Sequence, residues 1–341
     1  KDTTMNKLIK GMFADYRLGK KILLLLGIFI LLDIIGNVVG LGVEWVDERL
    51  LSHTNSLRLT QFVASVFVFI GTPCLFFYLT AKQSCPATEY FKLNKKNDTI
   101  IYILAIVALF SLLPLVNYTA SINEQMTLPD SLKVIEEAIK KMEDLAEEMT
   151  LELLKTDSGL TLIINLIVIA AAPAIGEEMM FRGALQKTLH EKFSPFWAII
   201  ITSVIFSALH FQFYGFIPRF LLSVFLGMLY YFSGSIKLNM VAHFTNNAMA
   251  VLVYYICTVA KIPIEDAPTE SLGKEDLFPV VIATVLFAGI MWAIYKIAGE
   301  DNRKEMRPVE VDNVLEKQDN NQELHKLGES EDSNENADHL S

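Results

Sequence analysis

The chain has 341 residues, of which 52% are hydrophobic, and its mean hydropathy of +0.38 is too high for an ordinary soluble domain. The formal net charge of −10 comes mostly from residues 300–341, where thirteen acidic side chains accompany five basic ones, so a basic nucleic-acid surface is excluded. Three scattered cysteines without a CxxC pair favour neither a disulfide framework nor a thiolate metal site. The composition therefore indicates a polytopic membrane protein.

Eight apolar runs long enough to cross a bilayer follow one another along the chain. They are 22–43, 59–80, 99–118, 160–188, 196–214, 216–233, 236–258 and 278–298. Because each run is continuously apolar, we predict an all-α bundle of about eight transmembrane helices rather than a β-barrel. The first run lacks a clear small-residue cleavage site, so we expect a retained span and not a signal peptide.

The runs divide the chain into five predicted parts. These are three transmembrane helices in 1–118, an amphipathic acidic segment in 119–157, a catalytic core in 158–258, a loop with the last helix in 259–299, and a disordered acidic tail in 300–341. In 119–157, apolar residues recur at alternating spacings of three and four, which predicts a surface helix packed on the bundle or lying at the lipid interface. They are Leu132, Ile135, Ile139, Met142, Ala146, Met149 and Leu153.

Lysine and arginine are concentrated in alternate loops, whereas the loops between them are acidic or nearly neutral. Basic loops stay in the cytoplasm. With eight crossings, both termini are therefore predicted to be cytoplasmic and 119–157 to lie outside, in a multi-pass protein of the cytoplasmic (inner) membrane.

Three short motifs place ionisable and amide side chains inside the apolar runs, where such residues mark functional sites by default. They are EEMMFR at 177–182, FSALH at 206–210 and HFTNN at 243–247. Glu178 and Arg182 are four residues apart and can pair on one helix face, whereas Glu177 points about 100° away. Taken alone, the first motif is better explained by a surface ion pair at a helix end.

The depths of the motif side chains favour a shared site. Counted from the turn between the two helices, Glu177 and His210 lie at roughly 20 and 22 Å, and His243 lies roughly 12 Å from its own turn. Glu177, His210, His243 and Asn247 could therefore meet in one cavity. Arg182 is expected nearer the cytoplasmic mouth.

A carboxylate with a histidine can deprotonate water, and a second histidine with an asparagine can donate hydrogen bonds to an oxyanion. The chain has no G-x-S-x-G, no cysteine beside a histidine motif and no H-E-x-x-H. Glu177, His210 and His243 could instead hold Zn²⁺ with one open position. The residues alone leave open whether no cofactor or one divalent metal is required.

In this order, the motifs resemble EExxxR, FxxxH and HxxxN of the CAAX-protease and bacteriocin-processing family of intramembrane endopeptidases, which includes type II CAAX prenyl proteases. The resemblance covers roughly residues 160–256. It implies that Glu177 activates water with His210, while His243 and Asn247 hold the oxyanion. Some members are labelled metalloproteases, whereas eukaryotic members are ascribed a glutamate mechanism and hydrolyse a prenylated C-terminal tripeptide.

The same resemblance implies that Glu178 and Arg182 order the site, and that the substrate is a membrane-associated protein or peptide in contact with the lipid bilayer. One alternative is a non-catalytic immunity or scaffold protein that binds a peptide or partner in the same pocket. Another is a proton-coupled transporter, because buried glutamate and histidine also relay protons. Convergence of the motifs at one depth argues against the transporter.

Overall fold

A computed structural model describes residues 9–50, 53–156, 158–263 and 277–304. In these ranges the chain is helical and contains no β-strand. The main helices are α1 (Leu18–Leu50), α2 (His53–Thr80), α3 (Thr99–Glu124), α4 (Lys133–Leu154), α5 (Gly159–Leu189), α6 (Pro195–Ala208), α7 (Phe216–Ser233), α8 (Ile236–Ala260) and α9 (Leu277–Ile297). Short helices cover Ala87–Tyr90, Asp130–Leu132 and Asp301–Lys304. The predicted tail lies outside the described residues from 305 onward.

Seven of these helices are long and apolar enough to cross a membrane, which confirms an all-α, multi-pass membrane bundle. The predicted fifth span, 196–214, is wrong in extent. Its helix, α6, ends at Ala208 after 14 residues, or about 21 Å at 1.5 Å per residue. Phe211 has a φ of 53°, in the left-handed region, so the helix cannot continue through this residue.

Two buried apolar clusters hold the spans together. In the first, α3 and α9 pack with α7 and α8 through side chains such as Leu109, Leu229 and Ile294. In the second, α1 and α2 pack with α5 and α6 around Phe76 and Phe181. Because lipid is as apolar as these side chains, the helices associate through van der Waals packing and not through the hydrophobic effect. Of the two site helices, α5 therefore packs into the second cluster and α8 into the first.

The amphipathic helix expected in 119–157 is α4, although α3 extends six residues farther than predicted, to Glu124. The side of α4 toward the protein is only partly apolar, since Glu136 and Glu143 are half-buried beside Ile139. The neighbouring apolar side is exposed. It comprises Val134, Ile135, Met142, Leu145 and Met149.

Candidate active site

Helix α5 changes its winding where it carries the first motif. A regular α-helical piece, Ala172–Glu178, ends with the two glutamates, and π-helical turns follow over Met179–Gln186. Such turns occur frequently at functional sites. Gly176 brings the carboxylates close to α2, because a Cβ atom there would lie 2.8 Å from Cβ of Phe69.

Glu178 and Arg182 form a fully buried ion pair, with 2.9 Å between Arg182 Nη1 and Glu178 Oε1. The interpretation as a surface pair at a helix end is therefore wrong. A buried pair is favoured when its other hydrogen-bonding atoms are satisfied, and in the described part of the chain Arg182 Nε alone of the guanidinium nitrogens has no partner. Arg182 Nη2 donates to the carbonyl and hydroxyl oxygens of Ser223, at 2.9 Å each. Asn239 Nδ2 donates to Glu178 Oε2 at 3.2 Å.

His243 lies between the two glutamates. Its Nδ1 donates to Glu178 Oε1 at 2.9 Å, and its Nε2 lies 3.7 Å from Glu177 Oε2. The first contact fixes the ring orientation, since the carboxylate can only accept. The second is longer than a hydrogen bond, so Glu177 Oε2 remains free to accept from another group.

Glu177 faces a cavity of about 200 Å³ and keeps 14% of its side-chain surface exposed. The three other residues predicted to share that cavity line it as well. They are His210, His243 and Asn247. The two adjacent glutamates thus differ in surroundings. Glu177 faces the cavity, whereas Glu178 is buried and neutralised by Arg182.

His210 does not lie inside a helix as predicted, but in the turn just after α6. Its Nδ1 donates to the Phe206 carbonyl oxygen at 2.8 Å, so the four-residue spacing still links these two residues. The Phe206 ring lies 5.0 Å from the His210 ring and 6.3 Å from the His243 ring. It also contacts the Arg182 guanidinium, at 5.3 Å. Phe206 is therefore the common packing partner of three motif residues.

Helix α4 holds the loop that carries His210. The backbone N–H of Tyr214 donates to Glu143 Oε1 at 2.8 Å, and the Tyr214 hydroxyl donates to Glu136 Oε1 at 3.2 Å. Burial raises the pKa of the Glu143 carboxyl, and the hydrogen bond from Tyr214 opposes this effect. The segment 119–157 is thus attached to the site.

Asn247 Nδ2 donates to the Ile169 carbonyl oxygen at a long 3.4 Å, which leaves a second amide hydrogen for a ligand. Sequence reasoning missed Asn239, although Asn239, His243 and Asn247 are spaced four residues apart on α8. It also missed Ser223 on α7, which Arg182 contacts.

The metal alternative does not fit the described part of the chain, where no three His, Cys, Asp or Glu side chains are close enough to hold an ion. Nδ1 of His210 bonds to a carbonyl and Nδ1 of His243 to Glu178, so only Nε2 of each ring is available to a ligand. We therefore derive no step through Zn²⁺ and do not assign Glu177, His210 and His243 as ligands.

Comparison with known proteins gives one finding. Residues 159–249, about a quarter of the chain, match a family model described as Rce1-like: Type II CAAX prenyl endopeptidase Rce1-like. The match contains all three motifs and confirms the resemblance. No curated protein and no solved structure matches the chain.

Proposed function

We propose, from the similarity of residues 159–249 to type II CAAX prenyl endopeptidases, that this chain is an intramembrane endopeptidase. Its substrates are membrane-associated proteins or peptides, which meet the site from the lipid. The observation that carries the proposal is the pair of adjacent glutamates in opposite states, Glu178 locked in a buried ion pair and Glu177 open to the cavity.

Glu177 acts as the general base. Its carboxylate accepts a proton from water, and the water oxygen attacks the carbonyl carbon of the scissile peptide bond. His210 orients this water through Nε2, since Nδ1 already donates to the Phe206 carbonyl. Glu177 then returns the proton to the leaving nitrogen as the C–N bond breaks. The products are a carboxylate and an amine.

The carbonyl oxygen becomes negatively charged when water adds, and donors placed in advance stabilise that charge. Asn247 has an amide hydrogen free for this purpose. His243 contributes when it carries a proton on Nε2, because its Nδ1 is fixed by Glu178. Asn246, also in the cavity wall, is a third candidate donor.

The test is cleavage of a quenched fluorogenic peptide carrying a farnesylated cysteine near its C terminus, by protein reconstituted in liposomes. Glu177→Gln keeps the shape and removes the base, so we expect a loss of about 10²–10⁴-fold in rate. Glu148→Gln, an exposed glutamate on α4, is the matched control and should keep full activity.

Full activity in Glu177→Gln would refute the assignment of the base. Tight binding without any cleavage by the unaltered protein would instead favour the non-catalytic scaffold. An unfarnesylated peptide of the same sequence, run in parallel, tells whether the substrate must be prenylated.

A further inference from the structure

Arg219 is a cation in the cavity wall that the proposed chemistry does not use. It lies in the first turn of α7 and lines the same cavity as Glu177 and His210. Ser223 is one helical turn farther along α7 and accepts hydrogen bonds from Arg182. Arg219 is therefore on the α7 face that packs against the site, and its guanidinium can reach a bound peptide.

The contacts of this guanidinium are all to neutral groups. Nη1 donates to the Gln212 carbonyl oxygen at 3.3 Å, and Nη2 donates to Oε1 of the same residue. Across the described ranges no carboxylate oxygen lies within 4.0 Å of it. The Glu143 carboxylate attracts it from farther away; one Glu143 oxygen accepts from the Tyr214 N–H, and the other has no hydrogen-bond partner in the described part of the chain.

The position of the guanidinium is fixed by the loop beneath it. A Cβ atom on Gly215 would lie only 2.5 Å from Arg219 Nη2, so the group rests directly on the glycine backbone. Gln212 accepts one hydrogen bond from each of its two Nη atoms. The Nε–H and the remaining Nη hydrogens of this positioned cation are left for a carboxylate in the cavity that Arg219 lines.

The size of the cavity limits which carboxylate can reach Arg219. Its volume of about 200 Å³ is below the roughly 300–1,000 Å³ of typical ligand pockets, so the part of a peptide held inside it is short. A peptide bond held at Glu177 and an anion held at Arg219 in this space can be separated by only a short stretch of chain. The anion that every such short segment carries is its own C-terminal carboxylate.

We infer that Arg219 binds the C-terminal carboxylate of the substrate and so selects peptides that end shortly after the scissile bond. The inference builds on the proposed endopeptidase function and names a specificity-determining residue for it. A lipid phosphate shares the same chemistry, since a guanidinium binds both anions through paired hydrogen bonds. The experiment must therefore separate these two sources.

Binding is measured first, in Glu177→Gln protein that does not cleave, with the farnesylated peptide labelled and made with a free C-terminal acid or amide. We expect the acid to bind about tenfold more tightly than the amide, as for one charge-assisted contact. Adding Arg219→Gln should bring this ratio to about one by weakening the acid alone. Lys261→Gln, at an exposed position after α8, should leave the ratio unchanged.

If the Glu177→Gln protein, with Arg219 unaltered, binds the acid and the amide equally, the inference is overturned. A ratio that survives Arg219→Gln would do so as well. Arg219→Lys, which keeps the charge but loses the fork, should give an intermediate ratio and serves if the glutamine variant does not fold. If Arg219→Gln lowers the amount of copurified anionic lipid and leaves the ratio intact, the ligand is a lipid phosphate and the inference is wrong.

Cleavage by protein with Glu177 intact separates this inference from the proposed function. Faster hydrolysis of the acid than of the amide supports both. Equal hydrolysis of the two peptides would sink the role of Arg219 and leave the endopeptidase standing. No hydrolysis, with the tenfold binding preference preserved, would refute the endopeptidase and keep the carboxylate site.

Discussion

Glu178 connects most of the polar groups behind the cavity, because it accepts hydrogen bonds from Arg182, His243 and Asn239. Removing one partner of a buried ion pair leaves the other charge uncompensated, at a cost of about 3–5 kcal/mol. Among the described residues, Glu177 has only the 3.7 Å contact with His243, and it is partly exposed. Substitution of Glu178 should therefore lower the stability of the protein, whereas substitution of Glu177 should not.

We expect Glu178→Gln to lower the thermal unfolding midpoint in detergent strongly, whereas Glu177→Gln should melt near the unaltered protein. Arg182→Gln, combined with Glu178→Gln, should restore part of the loss, since the uncompensated guanidinium is then gone. The rescue should be partial, because His243 and Asn239 still lack the carboxylate. Equal destabilisation by the two single glutamine variants would contradict this assignment of roles.

At the residue level, four-residue spacing predicted the Glu178–Arg182 pair, because two side chains one turn apart on a helix meet whatever surrounds them. It could not predict that the pair is fully buried, which depends on α7 and its Ser223 covering Arg182. His210 was misplaced for a related reason. Apolar composition continued past Ala208, whereas the backbone turned at Phe211.

At the level of elements, the approach of α2 to α5 positions the first motif. Gly176→Ala would place a methyl group 2.8 Å from Cβ of Phe69 and 3.1 Å from the Ser65 carbonyl oxygen. Overpacking of this kind typically costs about 1–3 kcal/mol. The two helices must separate, and Glu177 shifts with the backbone because it is the next residue on α5. We therefore expect lower cleavage activity together with a lower unfolding midpoint.

Gly27→Ala on α1 is the control, because nothing lies within 4 Å of its added methyl group. It should be neutral or slightly stabilising, as alanine favours a helix by up to about 1 kcal/mol over glycine. Normal activity and stability in Gly176→Ala would contradict this prediction, because it would mean that α2 can shift to accommodate the added methyl group.

Helix α4 shows where sequence patterning reaches its limit. The repeat of apolar residues predicted an amphipathic helix, and α4 is one. The pattern could not show which side faces the protein, because Glu136 and Glu143 turn inward to bond with Tyr214. That choice depends on a loop more than sixty residues away in sequence, and no periodicity within α4 records it.

For the whole molecule, the number of crossings decides whether both termini share one side of the membrane. In the described part of the chain seven helices have spanning length, and α6, at 14 residues, is the eighth predicted segment. If α6 crosses, the basic loops alternate as predicted and the C-terminal tail is cytoplasmic. The two apolar clusters that hold the spans together are compatible with eight crossings, but they do not show which side of the membrane is cytoplasmic.

Single cysteines at Ser131 and Ser330, in protein lacking Cys74, Cys85 and Cys257, test this topology with a thiol reagent that cannot cross membranes. We expect Ser131→Cys to be labelled in intact cells, and Ser330→Cys only after permeabilisation. Labelling of both in intact cells would mean an even number of crossings between them and the loss of α6 as a span. Labelling of Ser330→Cys alone would contradict the predicted orientation.

The exposed apolar side of α4 also bears on how deep in the membrane the candidate site lies. An amphipathic helix at a membrane interface buries its apolar face roughly 5–10 Å into the boundary between headgroups and acyl chains. If α4 lies there, its hydrogen bonds to Tyr214 in the His210 loop keep His210 close to that level. For the proposed endopeptidase we then expect cleavage a few residues from where a substrate leaves the lipid, and not in the middle of an intact transmembrane helix.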